Sequence, residues 1–200
     1  MYADHQPQLS KLGRSGPDGL IRIATFALLT IRVHLHDAVK DYPLVRGGQR
    51  TKLRSVWGWK SQGLDELDEH GASIYEQCER QFQDTEDEEL EDGLLHILTS
   101  ITGLGCAKAG FVAQMVYGVS GCLDGHNLAR FQIPLQTFKI AGAAPRRRSA
   151  LIHDYNRVCR KFGGTQALWD SWCEFLAGRD ANYAGNPDYV SRLHLTPLAV

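Results

Sequence analysis

Two features of this 200-residue chain have the residue types and spacing to do chemistry. One is the stretch "SITGLGCAKAGFV", which holds Gly103 and Gly105 on either side of Leu104. The other is "CLDGHNLARF", in which Asp124 stands nineteen residues after Gly105. Read from Leu98, the first is an apolar residue, Ile101, then Gly103, Leu104, Gly105, then Ala109 and Val112. Each fixed slot has a physical reason. Two glycines allow a tight turn whose backbone can come close to a partner. Leu104 plugs the turn into a core, and Ala109 is small where two helices cross. The first amides of the following helix, around Ala107 and Lys108, then point outward and can hold an oxyanion such as a phosphate. Asp124 has two readings: a helix N-cap in "LDGHNLARF", or an acid placed for catalysis.

Basic residues gather in "PRRRS", Arg146, Arg147 and Arg148, with Arg157, Arg160 and Lys161 nearby. These are either a solvated helix entry or a phosphate contact that adds to the glycine turn. Lys52, Arg54 and Lys60, beside Trp57 and Trp59, form a weaker patch. No metal is expected. His34 and His36 are two apart and share no helix face, and His126 with Asp124 is too small a ligand set. The acids at 86 to 89 sit at a helix start, where the dipole favours them. "GVSG" is not a nucleophile elbow, and no P-loop is present. Five cysteines, no two closer than thirteen residues, argue against a zinc ribbon or a disulfide framework. They fit free thiols in a reducing compartment.

The glycine turn resembles the helix-hairpin-helix motif, and with "CLDGHN" it resembles the helix-hairpin-helix superfamily of DNA glycosylases over about residues 86 to 131. In that superfamily an Asp lies about twenty residues after the hairpin, and Asp124 occupies the slot, with Arg130 in the basic position. The resemblance implies double-stranded DNA as partner, gripped by its backbone through Gly103, Leu104, Gly105, Ala107 and Lys108 without reading sequence. It implies hydrolysis of an N-glycosidic bond of a flipped base, with Asp124 stabilising an oxocarbenium-like sugar or activating water. Trp57, Trp59 and Phe131 are candidates to line the base pocket. Two departures narrow this. Where bifunctional members carry a nucleophilic Lys, this chain has Ala107, and Lys108 comes one residue later, about 100° around a helix. The four clustered cysteines of iron–sulfur members are also missing, so no cofactor is expected. The "DGHN" form is nearer the monofunctional branch, and the chain is also similar to phage proteins that process modified thymine in viral DNA. A catalytically silent module, DNA-binding or virion-associated with protein partners, is the alternative from another class.

These residues need elements to position them. With 43% hydrophobic residues, the chain can bury a core. Net charge is -1, so any attraction to nucleic acid comes from local patches. The periodicity predicts an all-α fold of six to nine helices with little or no sheet. Residues 1–17 read as a flexible arm and 181–200 as an irregular tail. Residues 18–180 read as one helical domain of two lobes. One is the hairpin lobe, about 60–135. The other combines 18–45 with 146–180. A nearly all-apolar helix from about Gly19 to Val39 is expected at the centre. The most apolar run, Ile23 to Ile31, is too short to span a bilayer. A cytoplasmic setting, or a host cytoplasm or virion, is the expectation.

Overall fold

The computed structural model describes residues 2–85 and 87–179, and among these the chain is all-helical, with nine helices and no strand. They are α1 (Tyr2–Gly13), α2 (Pro17–Leu29), α3 (Leu35–Arg46), α4 (Trp59–Asp84), α5 (Asp87–Leu98), α6 (Cys106–Tyr117), α7 (Gly125–Arg130), α8 (Pro145–Lys161) and α9 (Gly164–Arg179). The tail expected over 181–200 lies outside the described residues, as does Glu86, the first of the acids at 86 to 89.

Helix α2 is the central element. Pro17 opens it with a preset φ, and Asp18 stands in its first turn, where a negative charge suits the helix dipole. Leu20, Ile23, Phe26, Leu28 and Leu29 are all but completely buried, each worth about 1.5–3 kcal/mol of gross transfer energy. It packs against α1, α3, α4 and α6. Gly71 of α4 faces Ile21 so closely that a Cβ there would stand 2.5 Å from it.

The helix expected from Gly19 to Val39 is in fact two. α2 stops at Leu29, whose carbonyl accepts a hydrogen bond from the Lys60 Nζ at 3.0 Å. A turn through Thr30 and Arg32, the latter at φ +56°, leads to α3. The lysine that takes this carbonyl is remote in sequence, so apolar periodicity carries no sign of the break. α3 then runs through Pro43 and ends at Gly47.

The expected N-terminal arm is a helix. Leu9 of α1 is 4% exposed, and Gly13 sits against Val116 of α6, where a Cβ would come within 2.7 Å. Arg14, just after α1, bridges to Glu79 of α4 and lies over the Phe82 ring. α8 packs on α5 and α9, and α7 on α9.

Candidate functional site

The glycine turn joins α5 to α6. Leu104 donates its amide to Ile101 O and is 2% exposed, so it plugs the turn into the core. Gly103 has φ +92°, and a Cβ there would stand 2.5 Å from the Trp59 ring. Both facts demand glycine. The turn is held from α4. Thr102 donates its amide and hydroxyl to the Glu66 carboxylate at 2.6 and 2.7 Å. Gly63 leaves room for the Thr102 carbonyl, which a Cβ would approach to 2.2 Å. Burial pushes the Glu66 pKa up, but hydrogen bonds from Thr102 and Gln62 and the charge of His70 outweigh it, and the carboxyl ends below its usual range.

Gly105 differs from Gly103. It has φ -76°, is exposed, and a Cβ there would meet nothing within 4 Å. It is the N-cap of α6 and offers no side chain to cap the first amides. Nothing inside the fold requires glycine at this position.

Asp124 arrives on an irregular, buried segment that follows α6. Gly118 closes α6 in the left-handed conformation at φ +73°. Side chains of the surrounding helices then serve the backbone of residues 120–123 in turn. The Ser120 amide donates to Glu91, and its hydroxyl to Asn156. Gly121 O accepts from the Tyr155 hydroxyl at 2.6 Å, and the same oxygen of Tyr155 accepts from the Leu123 amide at 2.8 Å. The Cys122 amide donates to Gln114, and Cys122 O accepts from Asn127 at 2.8 Å. Buried backbone outside a helix must be satisfied in this way. Gly110 of α6 lets the segment approach, since a Cβ there would fall 2.2 Å from Gly121 O.

Asp124 caps α7, and its Oδ1 accepts from the amides of His126 and Asn127, each at 3.0 Å. Both bonds use one oxygen, so Oδ2 stands outside the cap. The residue is half-buried and lies on the wall of an open cleft of about 500 Å³. That cleft is also lined by Gly103, Gly105, Cys106, Ala107 and Lys108 from the hairpin, by Thr30 to Arg32, and by Leu135, Gln136, Phe138, Lys139 and Tyr155. The hairpin and the acid therefore face the same space. A second groove, about 370 Å³, continues along the turn between Thr99–Gly105 and Phe138–Ala141, with Arg148 at its side.

Charge is distributed unevenly. Arg14, Arg22, Arg46, Arg50, Arg130, Arg157 and Arg160 each sit on a carboxylate. Among the described residues, Arg32, Lys108 and Lys139 of the cleft make no salt bridge, and neither do the exposed Arg146 and Arg147. The near-zero net charge thus conceals a positive rim around the cleft. Lys108 shares the cleft with Asp124 and also touches a small cavity lined by Phe26, Phe111, Trp169 and Trp172.

Other expected site residues are placed elsewhere. Arg148 is half-buried and donates to Thr99 O and Oγ1, so it braces the hairpin. Arg130 bonds Ser171 and Glu174 of α9. Trp59 supports Gly103, Trp57 packs edge-on against Trp59, and Phe131 stacks on Phe162 at 3.9 Å. None of these three aromatics lines the cleft, where Phe138 and Tyr155 stand instead. Lys60 is not part of a surface patch. It is fully buried between Leu29 O and Ser55 O, and burial, then the nearby charge of Lys108, lowers its pKa to about 8.

The residues that hold the acid, Gln114, Asn127 and Tyr155, carry one faint sequence signal. Gln114 is the single amide side chain in "FVAQMVY", and it is fully buried. The five cysteines are free and buried, with burial pushing the thiols of Cys78, Cys106, Cys122 and Cys173 up to about 12. No group of three or more His, Cys, Asp or Glu residues among the described ones could hold a metal. No helix among them is long and apolar enough to cross a membrane. Comparison of the chain with protein families, curated proteins and solved structures finds no match.

Proposed function

We propose that the chain is a DNA glycosylase-like protein of the helix-hairpin-helix type. In this reading the hairpin holds the backbone of double-stranded DNA, and Asp124 assists hydrolysis of the N-glycosidic bond of a flipped base. The observation that carries it is the shared cleft: Asp124 and the Gly103–Lys108 turn line one open space. The uncapped start of α6 leaves the amides of Cys106 and Ala107 for a phosphate oxygen, whereas those of Gly105 and Lys108 already donate to Gly103 O and Gly105 O. Arg32, Lys108 and Lys139 raise the local potential, while Arg146 and Arg147 add charge near the start of α8.

The chemistry follows from these parts. As the bond from C1′ to the base nitrogen lengthens, its electron pair leaves with the base and positive charge builds on the sugar. A fixed carboxylate stabilises that charge without reorganising. Oδ1 is held by two amides, which leaves Oδ2 to face the sugar or to take a proton from the attacking water. Water adds to C1′, and the base leaves with a proton.

The second reading is a silent binding module, and the cap itself favours it, since two amide bonds explain Asp124 without catalysis. The two readings separate in one assay. Duplexes bearing uracil, oxidised guanine, mismatched adenine or hydroxymethyluracil are incubated with the protein and with Asp124→Asn. Abasic product that disappears in the variant is expected. DNA binding with no product on any duplex leaves the DNA-binding module, and no binding at all removes DNA as the partner and leaves the motif architectural.

A further inference from the structure

The loop between α3 and α4, residues 47–58, carries charge and an aromatic ring that the cleft does not use. Its exposed side chains include Lys52, Arg54 and Trp57. The loop holds no carboxylate. Arg50 is taken by Asp65 and Asp68 of α4, but Lys52 and Arg54 make no salt bridge among the described residues. Trp57 is 38% exposed. A lone exposed apolar side chain is ordinary on a protein surface, but this one is mounted. The buried Lys60 Nζ lies 5.3 Å from its ring centre, so the inner side of the ring is covered and the outer side meets solvent. The Trp59 ring stands edge-on to it at 5.2 Å. Beside it, Gly58 at φ +50° borders open space, since a Cβ there would meet nothing within 4 Å.

The loop is fixed in place. The Ser55 amide donates to the buried Asp41 at 3.0 Å, and Ser55 O accepts from Lys60 at 3.0 Å. Val56 is 9% exposed and donates its amide to Leu53 O. Lys52 holds φ +61°, a conformation that a non-glycine residue adopts only when its surroundings impose it. Binding residues are commonly carried by loops that a rigid scaffold positions. The ring is also joined to the hairpin: Trp57 touches Trp59, and Trp59 is the ring on which Gly103 packs. An aromatic face with two unpaired cations beside it suits one occupant, a nucleobase with its flanking phosphates. Bases inside a duplex are already stacked on their neighbours, so the base is an unpaired one. The carboxylates of an acidic peptide would pair with the cations but be repelled by the negative face of the ring.

We infer that Trp57, with Lys52 and Arg54, is a binding site for single-stranded DNA, stacking an unpaired base of a strand that runs on from the duplex at the hairpin. The position of that strand rests on the proposed contact of duplex DNA with the hairpin; the stacking site itself does not. The test uses the full chain carrying Asp124→Asn, so that nothing is cleaved. Fluorescence anisotropy follows binding to a blunt duplex, to the same duplex with a short thymidine tail at its 5′ or its 3′ end, and to the thymidine single strand alone. One of the tailed duplexes binds at least about fivefold more tightly than the blunt one. Trp57→Ala removes that gain, Trp57→Phe keeps most of it, and neither changes affinity for the blunt duplex. Lys52→Gln with Arg54→Gln, at two exposed positions that leave the loop's packing intact, shrinks the gain and its dependence on salt. Equal affinity of the parent protein for blunt and tailed duplexes, or a gain that survives Trp57→Ala, overturns the stacking site and leaves the duplex reading in place. Trp57-dependent binding of the single strand without binding of the blunt duplex upholds the site and removes the hairpin contact. No binding to any of these DNAs overturns both, and Trp57-dependent binding of poly-glutamate instead would give the loop to an acidic protein.

Discussion

The hairpin and the acid segment meet at one cleft but are built in opposite ways. The hairpin is local. Its conformation follows from Gly103 and Leu104, and its support comes mainly from α4, through Gly63, Glu66 and Trp59, with Arg148 of α8 as a brace on Thr99. The acid segment has no local pattern, and side chains of α5, α6, α7 and α8 satisfy its backbone. The hairpin exposes backbone groups, whereas the acid segment hides all but its last residue. A binding turn can be carried by a short motif. A single carboxylate aimed into a cleft needs the tertiary structure to be complete.

That contrast can be broken from either side. The largest effect is expected at Tyr155→Phe. It removes a hydroxyl that serves Gly121 O and Leu123 N, both deep in the core. Two buried groups without partners cost about 3–5 kcal/mol, measurable by denaturant unfolding. Loss below about 1 kcal/mol would mean that the segment is not held as described.

Next comes the buried charge beside the hairpin wall. Lys60 is lowered from 10.5 to about 8 in the folded chain, first by burial and then by the charge of Lys108. Below pH 8 it is protonated in both states, so the cost of burying the charge is present in full. Between about pH 8 and 10.5 the unfolded chain binds more protons, so this contribution makes stability rise with pH. The stability of the wild type minus that of Lys60→Met is therefore expected to grow by roughly 3 kcal/mol across that window. A flat difference would mean that Lys60 titrates normally.

The smaller effects sharpen the comparison inside the hairpin. Gly103→Ala meets both a positive φ and the Trp59 ring, for a cost of about 2 kcal/mol. Gly105→Ala meets neither, and should change stability by less than about 1 kcal/mol. DNA affinity should nonetheless fall with Gly105→Ala, because the added methyl stands where a backbone would approach. Equal stability losses at the two glycines would erase the distinction.

The same division governs what was legible in the sequence. The helical class was, because apolar spacing reports it directly. The turn at Gly103–Gly105 was, because the residues that shape it lie within a dozen positions, although Gly63, Glu66 and Trp59, which hold it, do not. The break after Leu29 was not, since the lysine that takes its carbonyl comes from α4. Helix α1 was not, since its contacts with α6 outweigh a weakly apolar sequence containing Pro7. Asp124 could be picked out, but Tyr155, Asn127 and Gln114 could not be tied to it, and Trp57, Trp59 and Phe131 could not be told from core aromatics and do not line the cleft. Long-range polar contacts leave no period in a sequence. Arg148 was grouped with its neighbours by composition, and only the fold separates the brace from the two exposed arginines.

The central claim is that the Asp124 carboxylate faces the sugar of DNA held by the hairpin. It is tested most directly by binding to two duplexes that differ in one nucleotide: one carries a neutral tetrahydrofuran abasic analogue, the other a cationic pyrrolidine analogue that mimics the charge on the sugar. The wild-type protein should prefer the cation by at least about tenfold, roughly 1.4 kcal/mol, and Asp124→Asn should lose that preference while still binding the neutral duplex. Equal affinity of the wild type for the two duplexes would contradict the account.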